Sequence, residues 1–89
     1  MSRTQVAEVL RFLGVDDPEL LHLLRSEGLF EEEELESAEA EELRVAVLWM
    51  RDLGVNPAGV DVALQLRRRL LALEHRLREA LEQLGRAER

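Results

Sequence analysis

The stretch VAEVLRFLGVDDPELLHLLRSEG, residues 6–28, decides the fold. Val6, Val9, Leu10 and Leu13 are spaced i, i+3, i+4, i+7, which puts them on one face of a helix. Gly14 follows where a helix end favours a left-handed residue, and Ser2 or Thr4 is placed to cap the start. Asp17-Pro18 pairs an N-cap with a proline at the first helical position, where the missing N–H is no loss. Leu20, Leu21, Leu23 and Leu24 then fill a second short helix ending at Gly28. Two short helices joined by about four residues that include a glycine have the outline of a helix-turn-helix.

Beyond Leu29-Phe30 comes EEEELESAEAEE, residues 31–42, with eight acids in twelve positions and no base. Like charges one turn apart oppose each other, so Glu31–Glu34 is predicted as loop or frayed helix. Ser37 is the expected cap of a third helix, with Leu43, Ala46, Val47, Met50 and Leu53 as its buried face and Gly54 as its end. Asn56-Pro57 repeats the cap-and-proline device and opens a fourth helix to about Ala87. At ~1.5 Å per residue this helix reaches roughly 45 Å, longer than a core this small can cover.

The apolar pattern of the fourth helix changes along its length. Val60, Ala63, Leu64, Leu66, Leu70 and Leu71 form a wide stripe expected to pack on helices one to three. Leu66, Leu70, Leu73, Leu77, Ala80 and Leu84 repeat at 4, 3, 4, 3, 4, a heptad seam that calls for a partner helix and points to a homodimer or a captured partner. Glu74–Arg78 and Glu82–Arg86 are favourably ordered i,i+4 pairs. The expected fold is all-α: a helical module over 1–56, and a long C-terminal helix over 57–89 that packs on it and projects.

Composition limits what this fold can do. The chain has 89 residues, 46% of them apolar and 35% charged, enough for one small globular core. It has no cysteine, so disulfide frameworks and thiolate chemistry are excluded, and it is compatible with a reducing compartment. The longest apolar run, Val45–Met50, is far short of the roughly 20 residues that span a bilayer. The opening MSRTQVAEVL has an acid within its apolar stretch and no cleavage-like site, so no signal peptide is expected. A cytoplasmic location is the expectation. The net charge of −7 conceals a partition. Residues 1–42 carry three arginines and thirteen acids, a net −10, whereas residues 43–89 carry nine arginines and six acids, a net +3.

Little here points to catalysis. His22 and His75 are isolated on separate helices, without metal-site spacing. The five glycines sit at helix ends or singly, so no phosphate-cradling loop is visible. Three serines and no cysteine or tyrosine leave no nucleophile with a base beside it. Neither an enzyme nor a bound cofactor or metal is expected. DNA binding, the usual work of a helix-turn-helix, needs a basic second helix. The candidate exposed residues there are Asp16, Asp17, Glu19, His22, Arg25, Ser26 and Glu27, a set that repels phosphate. Arg67, Arg68 and Arg69 are the densest basic cluster, but consecutive helical residues fan apart by about 100°.

TQVAEVLRFLGVDDPELLHLLRSEGLF, residues 4–30, resembles the helix-turn-helix opening of MerR-type regulators. RDLGVNPAGVDVALQLRRRLLALEHRL, residues 51–77, resembles the corresponding stretch of the chaperone-modulator family (CbpM-like), with LGVNPAGVDVAL, residues 53–64, its most specific part. The composition, glutamate-rich with arginine and no lysine, is also similar to that of the DnaK–DnaJ assembly factors of thermophilic bacteria. The resemblance implies a MerR-like module followed by a long helix. It also implies a non-enzymatic role: binding the J-domain of a DnaJ-type co-chaperone, with a DnaK-type chaperone engaged indirectly or in a ternary complex. The runner-up is a MerR-like transcriptional regulator binding DNA as a dimer. From charge and exposure, the expected partner-binding residues are Glu31, Glu32, Glu33, Glu34, Glu36 and Trp49. The expected dimer or partner seam is Leu66, Leu70, Leu73, Leu77 and Leu84.

Overall fold

A computed structural model describes residues 2–87. Its elements are β1 (Arg3–Gln5), α1 (Val6–Phe12), α2 (Pro18–Ser26), β2 (Glu34–Glu36), α3 (Ser37–Leu53) and α4 (Pro57–Ala87). Helices dominate, and the two short strands pair antiparallel with Arg3 opposite Glu36, Thr4 opposite Leu35 and Gln5 opposite Glu34.

The chain is mostly helical, as expected, with four helices; the small sheet is an addition to that expectation, and its cause lies in the acidic run. Consecutive glutamates disfavour helix, where side chains one turn apart face each other. In an extended segment successive side chains alternate faces, so Glu34 and Glu36 stand in solvent while Leu35 is fully buried between them. The ladder continues one step further, where the Val6 N–H donates to the Glu33 carbonyl at 2.9 Å. Because Thr4 belongs to β1, it cannot cap α1; the N-cap is Gln5, which makes no side-chain bond. Ser37 is likewise the first residue of α3 rather than its cap, a position taken by Glu36.

The other helix boundaries follow local chemistry. Asp17 Oδ1 accepts the Glu19 N–H at 2.9 Å and Pro18 opens α2. Asn56 Oδ1 accepts the Gly59 N–H at 2.7 Å and Pro57 opens α4. Gly54 closes α3 at φ 66°, a left-handed conformation that costs glycine little.

All four helices and β2 contribute to one core. Val6 of α1, Leu24 of α2, Leu35 of β2, Leu43 and Val47 of α3, and Val60 and Leu64 of α4 are buried together, with Leu29 and Phe30 closing it from the loop. Leu53, expected on the buried face of α3, is exposed, because it is the last residue of the helix and lies beyond the core.

The wide stripe expected on α4 is also corrected. Only Val60 and Leu64 are buried; Leu66, Leu70 and Leu71 are exposed. At 100° per residue, Leu66 and Leu70 lie roughly 100–140° around the helix from the Val60–Leu64 face, and Leu71 shares that face but sits about 10 Å past Leu64, beyond the module. The radius of gyration is 16.4 Å and the extents are 56 × 28 × 21 Å. A compact chain of this length would have a radius near 12 Å. The excess is the projecting half of α4.

Candidate partner-binding surfaces

The acidic loop is built from below. Gly28, at φ 78°, turns the chain out of α2, and Phe30 follows at φ 54°, uncommon for a bulky residue. The Phe30 side chain is buried, and its carbonyl accepts a bond from Arg25 Nε at 2.9 Å. Anchored by Leu29, Phe30 and Leu35, the segment holds Glu31, Glu32, Glu33, Glu34 and Glu36 in solvent. Glu33 lies 3.7 Å from Arg25 Nη2, an atom without a hydrogen-bond partner among the described residues, so that attraction is purely coulombic. Glu36 lies 3.8 Å from Arg3 across the sheet. Glu31, Glu32 and Glu34 form no ion pair among the described residues.

Glu33 also reaches a cleft of about 250 Å³ between α1 and α2. Leu10, Val15 and Leu21 give it apolar walls, while Asp16, Asp17 and Glu33 add three carboxylates against the single guanidinium of Arg25. The arrangement suits a partner that is apolar at its centre and basic at its edge. The residues of this cleft are legible in sequence as two separate sets; only the turn of the chain brings Glu33 to Asp16 and Asp17.

Trp49 does not join this surface. It lies twelve positions along α3 from Ser37, roughly 18 Å from the helix start, whereas the glutamates precede that start. It is half-buried and packed against the core. A different aromatic is exposed. Phe12, 89% exposed, borders an open groove of about 490 Å³ between α1 and α3, together with Thr4, Val9 and Ala40. Its signal in the sequence is its phase: Phe12 falls about 120° around the helix from the Val6–Leu13 face.

The basic cluster on α4 is partly occupied. Arg68 forks onto Glu42, Nε to Oε2 at 2.6 Å and Nη2 to Oε1 at 3.0 Å, with the Glu42 side chain only 11% exposed. This pair links α3 to α4, and the Glu42 bond raises the Arg68 pKa. In sequence Glu42 reads as part of an acidic run and Arg68 as part of a solvated cluster. The overlooked signal is that Glu42 borders the buried Leu43. Close by, Arg44 hydrogen-bonds Glu41 and holds its carboxyl below the ordinary value of 4.5. On α2, Arg25 is turned inward to Phe30, so the exposed charges of that helix and its two caps are Asp17, Glu19 and Glu27.

The heptad positions of α4 are all in solvent: Leu66, Leu70, Leu73, Leu77 and Leu84 are each 55–62% exposed. Val62 and Leu81, equally exposed, extend the same stripe. Along this helix Glu82 and Arg86 approach to 4.0 Å and His75 pairs with Glu79 at 2.8 Å. Glu74 and Arg78 do not pair, and exposed pairs of this type are worth little.

Among the described residues no helix is long and apolar enough to cross a membrane. No group of three or more His, Cys, Asp or Glu among them could hold a metal ion. Comparison with protein-family models, curated proteins and solved structures finds no match to this chain.

Proposed function

We propose that this protein is a non-enzymatic chaperone modulator that docks its acidic surface on the basic face of a DnaJ-type J-domain. Occupying that domain regulates its assembly with, or its stimulation of, a DnaK-type chaperone, in the cytoplasm where both work. The observation that carries this reading is the set Glu31, Glu32 and Glu34, without ion pairs among the described residues, beside the acid-lined cleft at Asp16, Asp17 and Glu33. Support also comes from the resemblance of residues 4–30 and 51–77 to MerR-like chaperone modulators. Complementary charge of this type mainly speeds encounter and sets the partner. Its reach is a Debye length, about 8 Å at physiological salt.

Replacing Glu31, Glu32, Glu33 and Glu34 together by glutamine should weaken binding to an isolated J-domain, mostly through a slower association rate. The dependence of affinity on salt should flatten with it. Unchanged affinity at low salt would sink acidic docking.

The rival is a MerR-like regulator that binds DNA as a dimer through Arg67, Arg69, Arg76 and Arg78, which make no ion pair among the described residues. An electrophoretic mobility shift with genomic DNA fragments at low salt separates the two, since strong retardation belongs only to the regulator.

A further inference from the structure

Glu33 stands apart from the other glutamates of the acidic loop. Its backbone is pinned, because its carbonyl accepts the Val6 N–H at 2.9 Å. Its side chain is free, with 86% of its surface in solvent. Three residues earlier the chain is pinned again: the Phe30 side chain is buried, and its carbonyl accepts from Arg25 Nε at 2.9 Å. With the backbone held on both sides, movement at Glu33 is a matter of side-chain rotation.

Arg25 meets that side chain with an unused donor. Its Nη2 is shut off from solvent and has no hydrogen-bond partner among the described residues. A buried donor in this state is costly, and an acceptor within reach removes the cost. Glu33 Oε1 is 3.7 Å away. Charge-assisted bonds of this type close at about 2.7–2.9 Å, so a movement of about 1 Å completes the contact. We propose that Glu33 and Arg25 form a clasp, which closes when a partner fills the cleft between α1 and α2.

Filling the cleft supplies the driving force. In the free chain water screens the pair, and exposed ion pairs gain little. An apolar group seated against Leu10, Val15 and Leu21 displaces that water. The same two charges then attract more strongly, because the local dielectric falls. The partner therefore favours the closed arrangement over the open one, as a ligand must in order to shift an equilibrium. Charge balance points the same way. Asp16, Asp17 and Glu33 share the cleft with one guanidinium. A basic group of the partner placed at Asp16 and Asp17 leaves Glu33 to Arg25.

The acidic surface then divides its work. Glu31, Glu32 and Glu34, without ion pairs among the described residues, steer the encounter. Glu33 locks the complex once it has formed. Charges at the rim of an interface act on association, whereas a hydrogen-bonded pair enclosed by it acts on dissociation. The inference rests on the docking reading and deepens it by giving Glu33 and Arg25 a positioning role.

The test is the association and dissociation rates of an isolated J-domain measured with the full chain. Glu33→Asp keeps the charge but shortens the arm by one methylene, so Nη2 is out of reach. It should speed dissociation about fivefold, the effect of one hydrogen bond to a charged group discounted for the exposure of Arg25, with association unchanged. Glu32→Gln should do the reverse and slow association. Arg25→Met should speed dissociation as well, and adding Glu33→Asp to it should change nothing further. If Arg25→Met lowers the urea midpoint so far that the chain does not fold, Glu33→Asp alone decides. Binding with dissociation untouched by Glu33→Asp overturns the clasp and leaves the docking reading standing. So does an equal effect of Glu33→Asp with and without Arg25. A J-domain that does not bind the unmodified chain removes the docking reading and the clasp together.

Discussion

The residue that most affects how α4 is held is Arg68. Its fork satisfies a carboxylate largely removed from water, and a nearly buried charge left without its partner is costly. Because Arg68 itself is half exposed, the loss is moderated by solvent. Arg68→Leu should lower unfolding stability by about 1–2 kcal/mol, measured as a lower urea midpoint; this is the roughly 1.5–3 kcal/mol of hydrogen bonds to charged groups, reduced by that exposure. Arg68→Lys should recover only part of it, since an ammonium cannot make the two parallel bonds. Phe30 shows two opposed effects at one position. Its left-handed backbone costs of order 1 kcal/mol, which glycine would relieve, but deleting a buried phenylalanine side chain costs about 3–5 kcal/mol. Phe30→Gly should therefore destabilise by about 2–4 kcal/mol in the same assay, and any gain in stability would contradict the packing described. At Glu41 the effect is small and has a definite sign. Its folded pKa is depressed by Arg44, so its contribution is present above 4.5 and is lost as pH falls below that value through the lowered one. Glu41→Gln should slightly lower stability at neutral pH, reduce the slope of stability against pH in that acid range, and leave more strongly acid conditions almost unchanged.

At the scale of elements, what was legible in the sequence was the punctuation. Asp17-Pro18 and Asn56-Pro57 mark helix starts because capping is local, set by one side chain and the N–H groups two or three residues on. Asn56→Ala should cost about 1 kcal/mol by removing such a cap, seen as a lower urea midpoint with an unchanged slope. The two strands were not legible. Three residues are too few to display a period of two, and Thr4 and Ser37 fit capping patterns at the very places where the sheet claims or displaces them. Arg3–Gln5 and Glu34–Glu36 are extended because each finds the other across some thirty residues, a contact that no local window contains.

For the whole molecule, the governing fact is that one long helix serves two faces. If its seam pairs two chains, the apparent stability of the protein should rise with its own concentration, as linkage requires of a dimer. Leu73→Glu combined with Leu77→Glu should abolish that dependence and give a monomer on sedimentation; a persisting dimer would move the interface elsewhere. By itself the sequence determined the four helices, the charge partition and the seam, because helix periodicity, capping and like-charge repulsion act over one or two turns. Only the tertiary structure decided that Leu35 anchors a strand, that Glu42 leaves the acidic run to hold Arg68, and that Leu66 and Leu70 face away from the core. These depend on which surfaces meet once the chain closes on itself, and burial, unlike periodicity, is a property of the neighbours a residue acquires.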